Sequence, residues 1–208
     1  MKKLLSVFMT GVLLACPLAS CEKKEEKKGE ITEGYTNNQP FFDHNKGELN
    51  HDEQVTEDLN IIFNNYFIGT NKSNPDLELT AYTPTAYVDK LKEIKEYENY
   101  LLKIDTQITH EKMYWNEYGD NAQLTFDGIQ KVYTLNEAFN EKAENYIKEE
   151  FSVVDFDFEV EAVCEVYFRY TLSGSNGSDT SDSTVCAAKI KDDGWKLIFD
   201  SSSGLANG

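Results

Sequence analysis

The sequence predicts an α+β fold, with helices leading and a curved antiparallel sheet closing the chain. Residues 53–67 set Val55, Leu59, Ile62, Phe63, Tyr66 and Phe67 along one helical face. From Phe158 to Leu172 every even position is apolar while the odd positions carry Glu159, Glu161, Glu165, Arg169 and Thr171. That period of two belongs to a long strand with one buried face. Asp192-Asp193-Gly194 then separates two alternating segments, a strong local hairpin signal.

Each element has its own reason. Asn50 and Glu53 form a capping box for the first helix, which is expected to end near Gly69, with Asn71 to Asp76 as loop. Thr83-Pro84 opens a second helix. Its stripe of Tyr87, Leu91, Ile94, Tyr97, Leu101, Ile104 and Ile108 predicts one long helix, bent or broken after Ile104. Such a stripe suits a seam within the core, with a dimeric coiled coil as the alternative. Tyr114, Trp115 and Tyr118 are placed to close one end of the core. Gln123 to Thr134 reads as a strand weakened by Gly128, and Thr134 with Glu137 caps a helix carrying Phe139, Ala143 and Ile147 that stops near Phe151. After the long strand, Ser173 to Ser183 is a polar connection, Val185 to Lys191 returns, and Trp195 to Phe199 ends the sheet.

Cys164 and Cys186 both lie in strand segments. A hairpin pivot near Ser175 sets them opposite each other, whereas a pivot near Gly177 sets Cys164 opposite Ile190. A cross-strand disulfide and two buried thiols therefore both remain open. Two thiols do not make a four-ligand zinc site, and His44, His51 and His110 are scattered, so neither a metal nor any other cofactor is expected.

The front end carries an address. Lys2 and Lys3 precede an apolar stretch from Leu4 to Ala15, whose twelve residues span roughly 18 Å, short of the hydrocarbon thickness of about 30 Å. That fits the h-region of a signal peptide. Leu18-Ala19-Ser20-Cys21 resembles the lipobox of bacterial lipoproteins, and Leu13-Leu14-Ala15-Cys16 is a weaker version that would truncate the h-region. The resemblance implies cleavage before Cys21, acylation of its sulfur, and an outward-facing protein held on the cell membrane by lipid. Residues 1–20 are then the signal peptide, 21–50 the lipidated cysteine and a flexible charged tether, and 51–203 a single domain.

Charge narrows the partners. The chain holds 37 acidic against 20 basic side chains, a formal charge of −17. Removing residues 1–20 takes away two lysines and no acid, which brings it to −19. Such an excess repels nucleic acid, and the single arginine, Arg169, excludes multi-arginine phosphate clamps.

Helices followed by an antiparallel meander ending in Lys191-Asp192-Asp193-Gly194-Trp195-Lys196 resemble the nuclear-transport-factor-two-like, or cystatin-like, α+β fold. Enzymes of that fold, such as ketosteroid isomerases and polyketide cyclases, keep a carboxylate facing a tyrosine or histidine in a cone-shaped pocket. Here the even face of the long strand offers no acid, and Asp127, Asp155 and Asp157 are the candidates nearest a pocket mouth. The expectation is therefore a non-catalytic binding module with an unidentified protein or small-molecule partner. A small-molecule enzyme using the cone cavity is the alternative.

Overall fold

The computed structural model describes residues 47–198. The elements are β1 (Gly47–Leu49), α1 (Glu53–Lys72), α2 (Pro75–Leu79), α3 (Thr85–Glu93), α4 (Tyr97–Met113), β2 (Gln123–Leu135), α5 (Ala138–Glu150), β3 (Val160–Gly174), β4 (Gly177–Ile190) and β5 (Gly194–Ile198). A 3-10 turn over Tyr114–Tyr118 follows α4. The five strands form one sheet in sequence order, every pair antiparallel. The fold is α+β, as the sequence predicts. The signal peptide and the tether up to residue 46 lie outside the described residues, while the end of the stretch read as a flexible tether, Gly47–Leu49, is instead a strand paired with β2.

Both faces of the sheet are covered at one end. On one face α1 lays Leu59, Phe63 and Phe67 against Val166, Phe168 and Leu172 of β3. On the other, Phe139, Ala143 and Ile147 of α5 meet Val163, Cys186 and Ile198, with Tyr87 and Leu91 of α3 alongside. The expectation of a single buried face on the long strand therefore fails between Val163 and Val166, where four successive residues are buried. The cause is α5, which returns over the odd face there, while Glu161 before it and Arg169 beyond it stay exposed.

Several boundaries move for physical reasons. Helix α1 runs past Gly69 to Lys72 and closes on Ser73 in the left-handed region, φ 48°. Gly69 is needed because α2 crosses it: a Cβ there would sit 2.7 Å from the Glu78 backbone nitrogen. The N-cap of α1 is Asp52, whose side chain accepts from Gln54 N, while Asn50 Oδ1 accepts from Asp52 N. The long apolar stripe is cut between Glu93 and Tyr97, with Lys95 at φ 61°, rather than after Ile104. Thr134 belongs to β2, and Asn136 Oδ1 accepts from Ala138 N at the start of α5.

The β3–β4 hairpin pairs Gly174 with Gly177 across Ser175-Asn176. That pivot lies between the two positions expected from the sequence and pairs Cys164 with Ala187 and Glu165 with Cys186. The shift of one residue sends the two cysteines to opposite faces.

Candidate functional site

Cys21, the predicted lipidation site, lies outside the described residues. Cys164 and Cys186 are both free and buried. Cys164 belongs to the core under α1 and Cys186 to the core under α5, so the sheet separates them and the disulfide alternative fails on geometry. Burial pushes the Cys164 thiol up to about 11, against a weaker opposing contact from Thr134, which leaves it a poor nucleophile. Asp127, Asp155 and Asp157 are exposed, and Asp127 accepts from the Thr171 hydroxyl at 2.6 Å. None of the three lines the cleft between α4, α5 and β5.

The sheet face under α1 is filled. Phe63 stacks on Phe126 with ring centroids 5.0 Å apart and meets Phe168 at 4.7 Å, while Phe67 packs on Phe126, Phe168 and Tyr170. On the opposite face Glu165 is 1 % exposed and accepts from the Tyr167 hydroxyl at 2.8 Å. This matches the acid–tyrosine distance expected of an enzyme, yet both come from one strand two residues apart. The ring of Tyr133 lies 5.6 Å from that of Tyr167 in an edge contact.

Ionisable chemistry concentrates elsewhere, among the helices. Glu78 of α2 is 1 % exposed and Glu111 of α4 is 2 % exposed. The Thr70 hydroxyl lies 3.0 Å from the Tyr66 carbonyl and 2.9 Å from Glu78 Oε2. A hydroxyl carries one proton, so a neutral Glu78 that donates to Thr70 satisfies both contacts together. Burial pushes Glu78 up to about 8, against smaller opposing effects from Thr70 and Lys112. Neither carboxyl oxygen of Glu111 has a hydrogen-bond partner, and burial followed by the charge of Glu78 raises it well above the usual carboxylate range. The Lys112 ammonium is held by the Asn71 carbonyl at 2.7 Å and Ser73 Oγ at 2.8 Å. Burial thus drives both carboxyls toward their neutral forms. Among the described residues no group of three or more His, Cys, Asp or Glu could hold a metal ion.

A half-open cleft lies between α4, α5 and β5, with a cavity of about 30 Å³. Tyr82, Tyr100, Tyr146 and Phe151 wall it, with Lys103, Gln107, Glu150 and Lys196 as its polar groups. Tyr82 ties it to the buried acids, because the charges of Glu78, Glu111 and Glu150 all raise its hydroxyl beyond the effect of burial. Sequence patterning missed these residues, although one signal was there. Glu111 continues the stripe three residues after Ile108, so a carboxylate stood on an apolar face. Glu78 was hidden by the short α2, whose start Asn74-Pro75 carries an N-cap and a proline at the first helical position. No family model, curated protein or solved structure matches this chain.

Proposed function

We propose that this chain is an outward-facing bacterial lipoprotein, acylated at Cys21, whose domain is a non-catalytic binding module of cystatin-like type. Support for the anchor is the order of Lys2-Lys3, the apolar stretch and Leu18-Ala19-Ser20-Cys21. Among the described residues no helix is long and apolar enough to cross a membrane. The partners are then the membrane, reached through lipid, and a protein or small molecule outside the cell. Nucleic acid is disfavoured by a formal charge of −17.

One observation carries the choice of binding over catalysis: the ring cluster of Phe63, Phe67, Phe126 and Phe168 occupies the space that a cone-cavity enzyme needs. Close-packed interiors leave few voids that admit more than a water molecule. Nile red, a neutral apolar dye, tests this without interference from the acidic surface. The native protein is expected to leave its fluorescence at the buffer level. A saturable rise at dye concentrations that leave the circular dichroism spectrum unchanged would reveal an open apolar cavity and favour the enzyme reading.

A further inference from the structure

The cleft between α4, α5 and β5 sets one acid, Glu150, among three tyrosine rings and two lysines. Glu150 is the last residue of α5. Among the described residues it makes no hydrogen bond and no ion pair, although it is half-buried and lines the cleft. A helix C-terminus carries the negative end of the backbone dipole, so a carboxylate there is disfavoured and a cation is welcome. Tyrosine faces add to the same preference, because ring quadrupoles attract cations. Tyr82, Tyr100 and Tyr146 all wall this space.

The two lysines of the cleft do not settle the charge. Lys196 is 7 % exposed, and its ammonium is taken by the Thr80 carbonyl at 3.1 Å and Asp193 Oδ1 at 3.3 Å. Lys103 is exposed and forms no ion pair with Glu150. Burial raises the Glu150 carboxyl above its usual range, and Lys103 lies near enough to oppose that only in part. It acts as a weak resident competitor at the mouth. The cavity of about 30 Å³ has room for a small group. Gln107 adds a side-chain carbonyl for the ammonium protons.

We propose that this cleft binds a primary alkylammonium group, with Glu150 as counter-ion and Tyr82, Tyr100 and Tyr146 as its aromatic wall. The proposal deepens the binding-module reading and rests on it. The group is supplied either by a free alkylamine or by the side chain of a lysine on a partner. Calorimetric titration of the full-length protein at neutral pH distinguishes these, with n-butylamine and Nα-acetyl-lysinamide as probes and n-butanol as the uncharged control. Butylamine is expected to bind and butanol is not. Binding of butylamine alone points to a free amine, and binding of both points to a lysine side chain.

Glu150→Gln should weaken butylamine by about tenfold, equivalent to losing one desolvated charge partner. Lys103→Gln, an exposed change that leaves the fold intact, should tighten it about two- to threefold, the scale of an exposed charge interaction. Absence of binding by both amines, equal binding of butanol, or unchanged affinity in Lys103→Gln would overturn the proposal. Those results would leave the Nile red test and the lipid anchor untouched, so the two readings fail separately.

Discussion

Glu78 and Glu111 put a pH dependence into the helical layer that the rest of the domain does not require. A carboxyl whose folded value is about 8, against an ordinary 4.5, holds its proton in the fold after the unfolded chain has released it. Between those limits the unfolded state binds fewer protons, so stability falls as pH rises from about 4.5 to about 8. Glu78→Gln keeps a donor for Thr70 and cannot ionise. Denaturant unfolding should show the variant more stable than wild type by at least about 1 kcal/mol at pH 8, with the difference closing toward pH 4.5. A parallel pair of pH profiles would mean that Glu78 is not held neutral. The residue scale is also where the sequence was least legible. The cysteine pairing turned on one residue of hairpin register, because Val185 to Ala188 is apolar on both faces and fits either parity. Glu165 looked like a solvent position by alternation and is buried opposite Cys186, on the face where α5 packs, which no local pattern encodes.

At the scale of elements, long periodic segments were read well and their ends were not. Helix α1, helix α5 and strands β2, β3 and β5 occur where apolar spacing predicts them. Strand β4 instead starts at Gly177, inside the polar stretch Ser173 to Ser183 that reads as a connection, because main-chain pairing with β3 extends it without apolar alternation. The stops failed where another element, rather than the local sequence, fixes the position. Gly69 resembles a helix terminator, yet it lies inside α1 because α2 packs against it with no room for a side chain. Gly69→Ala should therefore destabilise the protein by about 1–3 kcal/mol despite alanine's better helix propensity, read as a lower denaturant midpoint. A stabilised variant would show that α2 does not approach so closely. Helix α3 begins after Pro84 with no cap from its own side chains. Asp193 of the β4–β5 turn accepts from Thr85 N at 2.7 Å and from the Thr85 hydroxyl at 2.5 Å, which caps the helix from across the chain. The Asp-Gly-Trp turn is thus more than a hairpin: its glycine turns, its tryptophan enters the core under α1, and its aspartate pins α3. Asp193→Ala should cost about 1 kcal/mol or somewhat more, since Lys196 also loses its partner. A midpoint within error of wild type would show that the cap is not formed in solution.

For the whole molecule, the α+β architecture follows from two observations made on the chain itself: helical stripes early and strict alternation late. The proposed address rests on equally local features: a charged start, an apolar stretch too short to span a bilayer and Leu18-Ala19-Ser20-Cys21 stand in order. The cleft was not legible, because Tyr82, Tyr100, Tyr146, Glu150 and Lys196 come from separate segments that only folding assembles. The binding-module proposal rests at this scale on a filled sheet face, a charge of −17 and the lipobox-like Leu18-Ala19-Ser20-Cys21. The most direct measurement is mass spectrometry of the N-terminal peptide from protein expressed in a bacterial host and recovered from its membranes. A mature chain beginning at Cys21, with its sulfur carrying diacylglycerol, is the result expected. An intact Met1, or a cleaved chain with an unmodified Cys21 sulfur, would contradict the assignment.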